Sequence, residues 1–343
     1  MRIASVLLPD DRAVRVGVVV GDPADRVHLL GSAVTVLDLL RSGSLLEAGR
    51  DALARRPVAL DSVRLLAPLQ PPTVRDFVTF EEHVEGVRRA VSGEAGVPDA
   101  WYDAPTFYFS NPYATIGPDD EVPVPPGCSV LDFELEVAAV VGRTGRDLSP
   151  ADAVGHIAGY TVLNDWSARD VQGREMQVGL GPAKGKDTAT TLGPWLVTAD
   201  EFTADPDGFL PLALRAEING RLVGEDLLSN MGWTFGDLVA YASRGTEVRP
   251  GDVLGSGTCG NGGCLGELWG RGVGRDELPP LVPGDVVTLT VEGIGTLTNR
   301  VVPGVERVEI PRARPRPRSR PTSNGSVLTP DVRTGPLAHE ERA

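Results

Sequence analysis

Soft metal ligands are scarce in this sequence, with three cysteines and four histidines among 343 residues. Cys128, Cys259 and Cys264 are too few for a disulfide framework. Cys259 and Cys264 have no second pair at finger spacing, so a structural zinc site of that kind is excluded. No apolar run reaches membrane-spanning length. The N-terminal run Met1–Leu8 is too short for a signal peptide and leads straight into Pro9-Asp10-Asp11. A cytoplasmic protein with no membrane partner is therefore expected. Cationic excess is lacking too: 33 Lys and Arg against 47 Asp and Glu leave a formal net charge of −14. That balance argues against general nucleic-acid binding, and carboxylates gathered for a metal would account for part of it.

What is present centres on Val130–Gly142. Leu131, Phe133, Leu135, Val137 and Val140-Val141 are rich in β-formers and predict a strand. Strand side chains alternate faces, so Phe133, Leu135 and Val137 share one face while Glu134 and Glu136 share the other. Two carboxylates so placed repel, and need a shared proton, a cationic partner or a metal. The competing reading is a solvated strand face.

Around this stretch the chain reads as many short strands with few helices, a β-dominated α+β fold. Residues 1–68 form a small β-rich module, closed by the proline-stiffened linker Leu69-Gln70-Pro71-Pro72. Residues 69–308 form the main domain. Asn219-Gly220 predicts a hairpin, and Glu292-Gly293-Ile294-Gly295 turns a second one. From 309 to 343 basic residues alternate with proline and then give way to Ser, Thr, Asn and Gly. That composition cannot bury a core and predicts a disordered, solubilising tail.

A third acid, Asp165, closes the apolar run Gly159–Leu163, and a fourth, Asp76, lies just past the linker. Taken alone, Asp76 reads first as a turn or salt-bridge acid beside Arg75. Carboxylates at strand ends can converge, and three or four of them without histidine suit a hard cation: Mg²⁺ first, Mn²⁺ or Ca²⁺ next.

The stretches Arg75-Asp76-Phe77…His83, Leu131–Glu136, Asn164-Asp165-Trp166-Ser167-Ala168-Arg169-Asp170-Val171-Gln172, Gly179–Asp187 and Gly255-Ser256-Gly257-Thr258 together resemble the fumarylacetoacetate hydrolase superfamily. The resemblance runs over roughly Val63–Pro303. It implies a mixed β-roll around a metal site, acting on small β-dicarbonyl and 2-oxo acids, commonly as a homodimer. By position it assigns Glu134, Glu136 and Asp165 to the metal, with Asp76 as the additional aspartate of fumarylacetoacetases. It makes His83 the catalytic histidine and Glu267 the acid that orients it. Lys186, Arg169, Gln172 and Thr190 line the site. Chemically, Lys186 and Gln172 can donate to a developing oxyanion. Arg169 can hold a substrate carboxylate or pair with Asp165 or Asp170. Thr258 can bind a carboxylate or simply sit in a glycine-rich turn. Two stretches depart from the pattern. Cys259–Leu268 is richer in glycine and looks one residue longer, and the segment between His83 and Phe107 offers no match.

The leading expectation is a Mg²⁺-dependent hydrolase that cleaves a C–C bond in an acylpyruvate or fumarylacetoacetate-like acid. The alternative is a metal-dependent isomerase, hydratase or decarboxylase of a 2-oxo dicarboxylic acid. A non-catalytic binding protein keeping the fold is a third possibility, against which the intact Glu134, Glu136, Asp165, His83 and Lys186 weigh.

Overall fold

The strand Leu135–Val141 lies inside a twelve-stranded mixed sheet. The structure, a computed structural model, describes residues 1–9, 13–31, 33–315, 320–321, 323–325 and 327–328. It divides into two units, Met1–Glu306 and Arg307–Ala343.

Leu135–Val141 pairs antiparallel with Ile157–Asp165 on one side and Val253–Gly255 on the other. Beyond Ile157–Asp165 the sheet continues through Thr190–Thr198 to Arg2–Leu7, Val14–Gly21 and Ala24–Leu29. Beyond Val253–Gly255 come Val74–Phe77, parallel to it, and Phe107–Ser110. The small module of residues 1–68 thus adds its strands to the same sheet as the rest of its unit.

Side-chain alternation on the central strand divides the core in two. Val137, Ala139 and Val141 pack into one cluster with Phe133, Trp166 and Leu238. Ala138 and Val140 pack into the other with Leu39, Leu40 and Leu45 from the helices Val36–Ser42 and Leu45–Leu53. Both faces are buried, as in a sheet covered on two sides. This rules out the solvated face for Glu134 and Glu136, which are 3% and 1% exposed. A separate five-stranded sheet carries both expected hairpins, Ala213–Ile218 with Arg221–Leu227 and Val286–Val291 with Gly295–Val302. Asn219 and Gly220 both take positive φ at the first turn, as a tight hairpin requires.

The strand expected to run unbroken from Val130 is interrupted. Leu131–Asp132 pairs with Ser167–Ala168, and the main ladder begins at Leu135. Side chains take over in between: the Phe133 N–H goes to Asp132 Oδ1 and the Glu134 N–H to Asn164 Oδ1. Two helices, Arg169–Met176 and Leu265–Gly270, lie where no helix is expected from the sequence. The first has no apolar stripe and no buried residue, and the second is six residues with two glycines. In the second unit, Arg320–Pro321 pairs with Val327–Leu328. Residues 309–315 are exposed without regular structure, and most of the expected tail lies outside the described residues. No helix among the described residues is long and apolar enough to cross a membrane.

Candidate metal centre and active site

Strand direction brings the acids together. Leu135 lies opposite Asn164, so the start of the central strand meets the end of Ile157–Asp165. Gly255 is paired with Ala138 and, in the parallel ladder, with Asp76. Asp76, Glu136 and Asp165 therefore come together at one end of the central strands, where the interrupted stretch adds Glu134. All four are buried, and one ligand atom from each lies within 4.8 Å of the others.

Gly255 makes the cradle possible. A Cβ there would sit 2.6 Å from Asp76 Oδ1 and 2.8 Å from Glu136 Oε2. The next glycine, Gly257, takes a φ of +78° and donates its N–H to Glu136 Oε2 at 3.1 Å. Three carboxylate oxygens remain, Asp76 Oδ1, Glu136 Oε1 and Asp165 Oδ1, that are buried without a hydrogen-bond partner among the described residues. Orphaned buried anionic oxygens are costly. An all-oxygen set with three such atoms fits a hard divalent cation and does not fit zinc.

Cations already line one side. Lys186 Nζ bridges Glu134 Oε2 at 2.5 Å and Asp165 Oδ2 at 2.6 Å. Arg169 contacts Glu134 Oε1 at 2.6 Å and Asp132 Oδ2 at 2.8 Å. Burial alone would raise Glu134, but Lys186 and Arg169 outweigh it and hold its carboxyl below the usual range. Burial wins for the others. It raises Asp76, raises Glu136 well above the carboxylate range with the adjacent Asp76 adding to it, and pushes Asp165 up to about 8 against the pull of Lys186.

These shifts fix the sign of a pH effect. Native Asp165 in the metal-free protein keeps a proton that the unfolded chain, with an ordinary value of 3.8, has lost. Metal-free stability contributed here is present below that value and falls as pH rises toward about 8. A cation that binds only the native carboxylates reverses the loss. The rise in melting temperature on adding Mg²⁺ or Mn²⁺ should therefore be larger at pH 8 than at pH 5.5. Thermal melts at both values check this, and an equal rise, or none, would count against the cation site.

Tyr108 joins the acids from the neighbouring strand Phe107–Ser110. Its hydroxyl reaches Asp76 Oδ2 at 2.8 Å and also Asp165 Oδ2. Tyr102 and Tyr113 are instead 55% and 92% exposed. Asp132 is a second addition. It is fully buried and accepts the N–H groups of Leu265 and Gly266 at 2.8 and 2.9 Å, as well as Arg169 Nε at 2.9 Å. Period-2 alternation places it on the face of Glu134 and Glu136, which was the available signal.

The other predicted residues fall as follows. Arg75 pairs with Asp252, not with Asp76. Arg169 pairs with Asp132 and Glu134, not with Asp165 or Asp170, because Asp170 turns away to hold Ser129. Gln172 accepts from Arg169 at 3.2 Å. Thr190 is buried beside Ser110, and Thr258 is buried just after Gly257.

His83, on the helix Glu81–Ser92, is 8% exposed, and burial lowers it to about 4. Its Nδ1 faces Cys264 Sγ at 3.6 Å. Glu267, the expected orienting acid, is also buried, but its carboxylate goes to Arg271 at 2.9 Å and to the N–H of Gly262. The glycine-rich run explains this: it turns into the short helix Leu265–Gly270, which directs Glu267 toward Arg271 one turn on. A cavity of about 810 Å³ opens beside the centre, with His83, Arg169 and Gln172 in its wall. Val87, Trp101, Met176 and Trp269 make much of the remainder apolar.

Comparison with known proteins bears on this geometry. The fumarylacetoacetate (FAA) hydrolase C-terminal family profile matches residues 73–302. The chain is 36% identical over 255 residues to Mycobacterium tuberculosis protein Rv2993c, covering 74% of this chain and 84% of that one. It is 30% identical to the Xenopus laevis mitochondrial oxaloacetate tautomerase fahd2, covering 88% and 90%. Among solved structures it is similar to a 5-carboxymethyl-2-hydroxymuconate delta-isomerase from Mycobacterium smegmatis, with TM-score 0.63 and 29% identity over 88% of this chain and all of that one.

Proposed function

The chain belongs to the fumarylacetoacetate hydrolase family, and from that premise we propose that it catalyses keto–enol interconversion of a small 2-oxo dicarboxylic acid, oxaloacetate being the first to test. Asp76, Glu134, Glu136 and Asp165 would hold a divalent cation, Mg²⁺ or Mn²⁺, beside the substrate. That cation supplies positive charge to polarise the 2-oxo group.

The observation that carries this choice is the environment of His83. Hydrolysis consumes water and needs a base to activate it. The His83 ring lies against a thiol, and the nearby acid Glu267 is committed to Arg271. Lowered to about 4, His83 is neutral at physiological pH. A neutral imidazole with a depressed pKa is suited to donating a hydrogen bond to an oxygen that gains charge. Keto–enol interconversion moves one proton between C3 and the 2-oxo oxygen and uses no water as reactant.

Other groups have roles that follow from their charge. Burial would discharge Lys186, but Glu134 and, once ionised, Asp165 outweigh it, so Lys186 stays protonated and donates rather than accepts. Arg169, held by Asp132 and Glu134 in the cavity wall, can meet a substrate carboxylate with the one Nη1 N–H that Gln172 leaves over. Gln172 fixes that guanidinium from its other side. The Xenopus relative's name, oxaloacetate tautomerase, is consistent with this choice.

One observation favours a second reading. The cavity is of the size that encloses a drug-sized ligand. An apolar wall of that extent would suit the acyl chain of an acylpyruvate and its C–C hydrolysis. The role given to His83 is tested with His83→Ala, assayed with oxaloacetate and Mg²⁺. Loss of one donor to a developing oxyanion should lower kcat by about 10²-fold, with the metal-induced melting shift intact. Full oxaloacetate turnover in this variant would remove His83 from the chemistry.

A further inference from the structure

The three described histidines differ in what faces Nδ1. In His28 it is the carbonyl oxygen of Arg55 at 2.7 Å, and in His156 that of Arg143 at 3.1 Å. A carbonyl oxygen only accepts, so both rings carry their proton on Nδ1. In His83 the neighbour is Cys264 Sγ at 3.6 Å, and a thiol can donate as well as accept.

The sulfur's other polar neighbour settles the direction. Cys264 caps the helix Leu265–Gly270 by accepting the backbone N–H of Glu267 at 3.3 Å. Burial pushes the thiol well above its usual range, so the sulfur keeps its proton. If His83 Nδ1 carried a proton, the sulfur would receive two N–H groups, and its own S–H would have no acceptor among these contacts. With the S–H directed at Nδ1, every group is used: amide to sulfur, sulfur to imidazole.

We propose that Cys264 is a positioning residue that donates to His83 Nδ1, fixes the Nε2–H tautomer, and so presents the ring to the cavity as a hydrogen-bond donor. This rests on the role given to His83 above, and it deepens that role. A carboxylate in place of the thiol could only accept. It would hold the proton on Nδ1 and leave the Nε2 lone pair free, which is the arrangement of a general base. One side chain therefore decides whether His83 polarises an oxygen or activates water. Cys264 reaches His83 because it precedes a helix whose first N–H groups are gathered by Asp132.

The test is the tautomer itself. Uniformly ¹⁵N-labelled full-length protein with Mg²⁺ alone should give a His83 ring with Nε2 protonated and Nδ1 bare. The signals are identified by their loss in His83→Gln, and His28 and His156 serve as Nδ1–H references. Cys264→Ser should keep the pattern, Cys264→Ala should mix the two tautomers, and Cys264→Asp should invert it. In turnover, Cys264→Ala should lower kcat roughly tenfold, part of the worth of a positioned proton donor, with KM unchanged and with serine restoring the rate. An Nδ1–H ring in the wild-type protein, or a pattern unmoved in both Cys264→Ala and Cys264→Asp, overturns the proposal. If the tautomers respond as stated while His83→Ala keeps full turnover, the positioning contact stands and the catalytic role of His83 fails.

Discussion

Replacing Glu136 with glutamine should abolish the melting shift produced by Mg²⁺ or Mn²⁺ and lower metal-dependent turnover by about a thousandfold, the equivalent of the several kcal/mol that a bound cation contributes to a transition state. Glu136 offers the orphaned Oε1 to the cradle while its Oε2 is held by the N–H of Gly257. An amide keeps the shape and removes the charge. The metal-free variant should melt no lower than the metal-free wild type. Burial and the adjacent Asp76 already drive the Glu136 carboxyl toward its protonated form, so a neutral amide costs little there. Calorimetric titration with Mn²⁺ alongside steady-state rates checks both halves. Unimpaired cation binding by the variant would show that the four acids are not the metal's ligands.

Asp132→Ala should have the largest effect on the fold. Its fully buried carboxylate is shared between the Arg169 guanidinium and the N–H groups of Phe133, Leu265 and Gly266. Truncation leaves an almost buried cation without one of its two counter-charges and strips the start of a helix of its acceptor. Removing one member of a buried ion pair typically costs about 3–5 kcal/mol. For a chain of this size that corresponds to a melting temperature lower by on the order of 10 °C. Asp132→Asn, which keeps an acceptor and loses the charge, should fall between. Melts of the two variants in chelator separate this structural role from metal binding. A change in Asp132→Ala no greater than that of a surface substitution, within about 0.5 kcal/mol, would contradict the role assigned to Asp132.

The acids of the candidate centre were legible because strand periodicity is a strong constraint. Alternation puts Glu134 and Glu136 on one face, and a carboxylate ending an apolar run, as Asp165 does, falls at the end of its strand. The family pattern added Asp76, whose place in the parallel ladder beside Gly255 is a long-range fact that no local signal carries. The β-dominated architecture and the hairpin at Asn219-Gly220 were equally accessible, since turn chemistry is local. What sequence could not yield were partners chosen across the fold. Arg169 sits near Asp165 and Asp170 in the chain, yet pairs with Asp132 and Glu134 because the interrupted strand brings them closer. Glu267 matched by position, but the short helix after the glycine-rich run turns it toward Arg271 and gives Cys264 to His83. Tyr108 carries no motif of its own; its place between Asp76 and Asp165 comes from Phe107–Ser110 pairing with Val74–Phe77.

The most direct test is the fate of oxaloacetate in D₂O. The protein with Mn²⁺ or Mg²⁺ should be compared with the metal ion alone by time-resolved NMR and mass analysis. The protein should give faster equilibration of keto and enol forms and faster deuterium uptake at C3 than the ion alone, with total oxaloacetate conserved and both accelerations lost in Glu136→Gln. Release of pyruvate and CO₂ above the metal-only rate, or no acceleration at all alongside C–C cleavage of an acylpyruvate, would contradict that expectation.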